Sequence, residues 1–157
     1  MVLYYTNSPE PNTSQTNPAK SLGGRISNSQ IPSAKLNNLF GSVSDQMMRE
    51  GSIEVRMIAL INLTENAQSF SLFYNNLSRQ QICSFQMALV KPAKDSCNEL
   101  YFEKLQSLYS QPVSAIFSDN RGEQNSLDHT IEPKETIGIW IKRKVSKTAA
   151  SKVLDCQ

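Results

Sequence analysis

The sequence predicts a mainly β fold: an Ig-like antiparallel β-sandwich with one or two short helices and an extended N-terminal arm. Three observations carry this. Apolar residues alternate with period two in several short runs, as half-buried strands require. Polar, Pro- or Gly-containing stretches separate those runs. Four of the seven prolines (Pro9, Pro11, Pro18 and Pro32) fall in the first 32 residues, among Ser, Thr, Asn and Gln.

Residues 1–32 therefore read as an arm, because proline fixes φ and lacks a donor. Its apolar points are Val2, Leu3, Tyr4 and Tyr5 at the tip, and Leu22 and Ile26 flanking Gly23-Gly24. Such an arm is expected to order itself against a neighbouring subunit, the alternative being an arm folded back on its own domain. Residues 33–50 read as helical, with Leu36, Leu39, Phe40, Val43 and Met47 at helical spacing and Ser33 as N-cap. Gly41 weakens its middle, Ser42 to Asp45 offer a restart, and Gly51 a stop. The first strand follows. Ile53, Val55, Met57, Ala59, Ile61 and Leu63 share one parity; Glu54, Arg56, Ile58, Leu60 and Asn62 share the other. Phe70, Leu72 and Tyr74 repeat the pattern, and so do Cys83, Phe85, Met87 and Leu89. Ser96-x-x-Glu99 has the spacing of a capping box, predicting a helix over 95–109 with Tyr101, Leu105 and Leu108 inward. Val113, Ala115 and Phe117 predict a strand, residues 118–129 an exposed loop, and Glu132 to Glu135 a turn. Ile137, Ile139 and Ile141 alternate with Gly138, Trp140 and Lys142 in the last strand. The sandwich domain spans 33–146, and 147–157 form a C-terminal tail.

The chain has 157 residues, one domain's worth. Its hydrophobic share is 39% and its charged share 19%, with a net charge of +2. That balance does not suit a strongly basic nucleic-acid binder. No stretch approaches the about 18 apolar residues of a membrane span. Residues Met1 to Asn12 show no leader pattern. Cys83, Cys97 and Cys156 lack C-x-x-C spacing and read as three reduced thiols, which predicts folding in a reducing cytoplasm.

The chemistry-bearing residues are few. His129 is the sole imidazole and sits in the polar loop beside Asp128, with no nucleophile elbow elsewhere, so it reads as a solvated histidine. Asp119, Glu123 and Asp128 do not match a calcium loop and have Arg121 among them. Lys142-Arg143-Lys144, Lys147 and Lys152 read as a solvated strand end and tail in preference to a nucleic-acid contact. Trp140, on the parity opposite Ile139 and Ile141, is either covered by a helix or an anchor for a partner. Glu54 and Arg56 share a strand face, where they could pair with cross-strand charges or with a neighbour. These features predict no enzyme, no cofactor and no metal.

Four segments occur in order: Lys20-Ser21-Leu22-Gly23-Gly24-Arg25-Ile26-Ser27, Leu36-Asn37-Asn38-Leu39-Phe40, Gly51-Ser52-Ile53-Glu54-Val55-Arg56, and Ile137-Gly138-Ile139-Trp140-Ile141-Lys142-Arg143. Asn62 follows the third on the same strand. Together they resemble a family of small virion structural proteins of tailed bacteriophages, of podovirus-type and crAss-like phages. The resemblance covers residues 20 to 145. It departs at Val55, where the family has Tyr, and at Gly41-Ser42, where it has an acidic pair. It implies a β-sandwich without enzymatic activity, assembled in many copies in the virion, in a neck or tail ring or on the capsid. Copies of this chain and other virion proteins are then the expected partners. Leu3, Tyr4, Tyr5, Leu22, Arg25, Ile26, Glu54, Arg56, Trp140, Lys142 and Arg143 are the candidate interaction residues. A carbohydrate-binding module using Trp140 and the 118–130 loop is the alternative from another class.

Overall fold

The computed structural model describes residues 1–33, 38–75 and 82–148. The fold is mainly β and antiparallel. Its strands are β1 Val2–Ser8, β2 Gly24–Gln30, β3 Ser52–Ile61, β4 Gln68–Leu72, β5 Cys83–Val90, β6 Ala93–Lys94, β7 Leu100–Phe102, β8 Ser118–Asp119, β9 Leu127–Ile131 and β10 Thr136–Val145, with one short helix, α1 Asp45–Glu50. Eight strands form one strongly curled half-barrel sheet in the order β6-β7-β2-β1-β3-β10-β5-β8. β4 and β9 pair separately. An Ig-like sandwich would share the strands between two comparable sheets; here the division is eight to two.

The centre of the sheet is β3 against β10, in unbroken register from Ser52↔Val145 to Ile61↔Thr136. Residues directly opposite share a face. Val55, Met57 and Ala59 therefore lie with Trp140, and Leu22, Ala88, Phe102 and Leu105 complete that core. Ile58 and Leu60 lie on the other face with Ile137 and Ile139, covered by Ile131 of β9 and flanked by Phe70 and Leu72 of β4. Val43, Met48, Ile82, Cys83 and Val145 form a third cluster. Both faces of β3 are thus covered, which explains why its two parities are nearly equally apolar.

The segment read as an arm lies inside the sheet, which corrects that expectation. β1 sits between β2 and β3, with Tyr4↔Ala59 and Tyr5↔Ile58 in register. The polar residues between β1 and β2 are used on this chain. Gln15 Nε2 donates to Thr6 O at 2.7 Å, Ser21 Oγ to Met57 O, and Gly23 N to Thr6 Oγ1 at 3.1 Å. Side-chain bonds of this kind order a Pro- and Asn-rich segment without a second subunit.

Five further expectations are corrected. Among the described residues, the helix expected over 33–50 is realised as α1 alone, capped by Ser44 and stopped by Gly51 at φ 79°. Residues 38–44 are irregular, although Phe40 and Val43 are buried; Leu36 lies outside the described residues. The helix over 95–109 is replaced by β7 and an irregular run. Asp95 Oδ1 accepts from Cys97 N and Glu99 N at 2.9 and 3.0 Å, Asn98 adopts φ 60°, and the free edge of β2 recruits Tyr101 and Phe102. The strand at Val113 to Phe117 is likewise irregular, because Glu103 binds the Val113 and Ser114 amides. The expected 118–129 loop contains β8 and most of β9. His129 faces Phe70 across the β4–β9 pair, with ring centroids 5.9 Å apart. Finally, Cys83 is disulfide-bonded and Cys97 is free and exposed, against the expectation of three reduced thiols. Cys156 lies outside the described residues.

Candidate functional site

Two places gather the residues singled out from the sequence. The first is a buried charged cluster on the Ile139 face. Register places Glu54 opposite Arg143 and Arg56 two residues along β3. Glu54 Oε2 pairs with Arg143 Nη2, and Glu54 Oε1 lies 3.6 Å from Arg56 Nη2. Arg143 Nη1 also donates to Gly41 O at 2.6 Å, and Arg56 Nη1 to Val55 O at 2.9 Å. The Phe40 ring covers both guanidinium groups, its centroid 5.1 Å from Arg56 Cζ and 4.9 Å from Arg143 Cζ. All three ionic side chains are buried. Burial lowers the Arg56 pKa, Glu54 pulls it back up, and Arg143 lowers it again. The cluster joins the 38–43 segment to the sheet. The cross-strand pairing expected for Glu54 is present, with Arg143 of the same chain, whereas the charge partner of Arg56 is Glu54 on its own strand.

The second place is an open groove of about 250 Å³ at the Ile61 end of the Trp140 face. Tyr4 from β1, Ile26 from β2, Ile61 from β3 and Leu100 beside Phe102 line it, with Arg25, Ser27, Asn28, Pro11, Asn12 and Glu99 at the rim. β1 and β2 bring Tyr4 and Ile26 together because the period-two pattern of each strand puts both on this face. Arg25 is held in place by Asp95 Oδ2 at 3.3 Å and Pro9 O at 3.4 Å. The Asp95 carboxyl is held below the ordinary aspartate range by the Glu99 amide above all, with desolvation opposing it and the Cys97 amide and Arg25 adding to the lowering.

Of the candidate interaction residues, Tyr4, Arg25 and Ile26 meet in the groove. The others do not. Leu3 packs against the Ile139-face core, and Tyr5 is buried with its hydroxyl donating to Asn38 O at 2.8 Å. Leu22 is core. Glu54, Arg56 and Arg143 belong to the buried cluster. Trp140 is completely buried, which decides between cover and anchor in favour of cover and removes it as a platform for sugar. Lys142 Nζ lies 4.0 Å above the Phe117 ring, and burial lowers its pKa. Lys152 lies outside the described residues. Among the described residues, Asp119, Glu123 and Asp128 do not group as a metal site. Asp119 accepts from Tyr74 Oη at 3.0 Å instead.

Sequence reasoning missed Ile61, Leu100 and Asn12 in the groove. Ile61 carried a signal, since it ends the core parity of β3. Leu100 and Asn12 carried none, because their positions depend on the pairing of β7 with β2 and on the turn after β1. Comparison with protein-family models, with curated proteins and with solved structures finds no match to this chain.

Proposed function

We propose that this chain is a non-enzymatic structural protein of a tailed-phage virion, present in many copies in a neck or tail ring. The observation that supports the reading is where its four motif segments lie. The Ser21 to Ser27 segment leads into β2, Phe40 lies over the charged cluster, Gly51 to Arg56 open β3, and Ile137 to Arg143 form the centre of β10. These distant segments meet in one packed unit. Gly23 passes Glu103 so closely that a Cβ would lie 1.8 Å from its carbonyl oxygen, and a Cβ on Gly138 would meet Met57 Cε at 2.1 Å. Arg143 touches both Phe40 and Glu54. The motifs are thus the packing signature of a scaffold, as a repeated structural subunit needs, and the resemblance supplies the virion.

The test is to raise antibodies against the purified chain and apply them to purified particles of the phage that encodes it. Labelling at the neck or tail, in several copies per particle, is expected. Labelling on the head surface would make it a capsid decoration protein of the same fold. Absence from particles overturns the virion reading.

A further inference from the structure

The sequence holds three cysteines, Cys83, Cys97 and Cys156. Cys83 is disulfide-bonded, and Cys97 is free and exposed. Of the cysteines in this sequence, Cys156 alone is left to be the partner of Cys83. Cys83 opens β5 and is buried with Val43, Met48, Ile82 and Val145, where α1, β5 and β10 meet.

The path of the chain independently favours the same partner. Val145 stands opposite Cys83 in the register of β10 with β5. Beyond it, Ser146 N donates to Ile82 O at 2.8 Å, and Thr148 N donates to Met48 O at 2.8 Å. The run that leaves β10 is therefore held against the start of β5 and against α1. The eight residues from Ala149 to Cys156 span up to about 29 Å when extended. A disulfide needs its two Cα atoms about 4–7 Å apart, and a segment of that length can turn back to Cys83. Cys97 lies between β6 and β7, at the other end of the sheet order, with β2, β1, β3 and β10 between β7 and β5.

We infer that Cys83 and Cys156 form a redox-sensitive clamp that fastens the C-terminal segment to the start of β5. In a reducing compartment both residues carry thiols, since glutathione keeps protein cysteines reduced there. Cys83 then packs as a small buried hydrophobe, so the sheet does not need the bond in order to fold. On exposure to a low-molecular-weight disulfide such as glutathione disulfide, one cysteine thiolate attacks it and releases one glutathione. The other thiolate attacks the mixed disulfide and releases the second. The two thiol protons end on the two glutathiones, which are reduced as the cysteine pair is oxidised. The closed ring runs from β5 through β10 and restricts the unfolded chain, which stabilises the folded one. The clamp goes beyond the virion reading and does not depend on it.

The full chain is equilibrated with reduced glutathione or with glutathione disulfide, alkylated, and digested with trypsin without reduction. After oxidation, peptide 80–94, which holds Cys83, is expected in covalent linkage with peptide 153–157, which holds Cys156. Peptide 95–104, which holds Cys97, is expected without a peptide partner. After reduction all three should appear separately. The Tm of the oxidised chain should exceed that of the reduced chain by about 4 °C or more. Cys156→Ser should abolish that difference and Cys97→Ser should retain it; both variants leave the buried Cys83 in place. Linkage of Cys83 to Cys97 or to Cys83 of a second copy overturns the inference. So does an alkylated Cys83 after oxidation, equal Tm values in the two states, or a Tm difference that survives Cys156→Ser.

Discussion

Gly23 and Gly138 are glycines for different reasons, and the difference is measurable. At Gly23 a Cβ would lie 1.8 Å from a backbone oxygen, and φ is 85°, so neither neighbour nor backbone can yield. At Gly138 the obstacles are side chains, Met57 Cε at 2.1 Å and Phe102 Cε1 at 2.6 Å. Gly138→Ala should cost about 1–3 kcal/mol, the usual range for overpacking. Gly23→Ala should cost more, and denaturant midpoints rank the two; equal costs would mean that the Glu103 backbone gives way. The charged cluster supplies a second test. Glu54→Gln keeps the shape but leaves Arg56 and Arg143 buried without their carboxylate. Loss of one partner of a buried pair costs about 3–5 kcal/mol. A loss under about 1 kcal/mol, the level of an exposed pair, would contradict the burial seen here.

At the scale of elements, β1 completes the sheet. Removing residues 1–8 exposes the backbone of both β2 and β3 over the stretches that β1 pairs. Unpaired buried backbone groups are costly, so a chain beginning at residue 9 should lose its dispersed amide spectrum. A folded truncated chain would restore the reading of residues 1–32 as a separable arm. The turn before β7 depends on Asp95, whose carboxyl is held below its ordinary value by the Glu99 amide above all. A carboxylate with a depressed folded pKa contributes above its unfolded value, about 3.9, and loses the contribution as pH falls through the folded value. The Cys97 and Glu99 amide shifts should therefore stay flat down to about pH 5 and move with a midpoint below about 3.9. Asp95→Asn should remove that transition; a midpoint at or above the ordinary value would contradict the hydrogen bonding.

At the scale of the whole molecule, the two faces of the sheet share the same backbone. Trp140 and Ile139 are neighbours on β10, yet one belongs to each core. Neither core can open without disturbing β3 and β10, so unfolding should be cooperative. Trp140 is the only tryptophan and is fully buried, so its fluorescence reports one face alone. Fluorescence and far-ultraviolet circular dichroism should give coincident unfolding curves. Separated curves would show that the β4–β9 sheet or the β1–β2 region unfolds independently.

Local pattern alone determined the β character of this chain, the positions of β3, β4, β5 and β10, a helix restart at 42–45 with its Gly51 stop, and the turn at 132–135. Each rests on period-two alternation or on cap and turn chemistry within a few residues, and such interactions are written in adjacent positions. Only the tertiary structure decided that residues 2–8 and 24–30 are strands of the sheet and that Tyr101 and Phe102 are strand rather than helix. It alone enclosed Trp140, and it alone turned Val113 and Ile116 outward. Those outcomes depend on partners far along the chain: the edge of β3 for Tyr4 and Tyr5, the edge of β2 for Tyr101, the Glu103 carboxylate for Val113. A Pro- and Asn-rich stretch reads as an arm, and a stripe at 3.6 spacing as a helix, until an unpaired strand edge competes for its backbone. Here the competing hydrogen bonds prevailed over local propensity, because a buried strand edge left unpaired costs more than the propensity is worth.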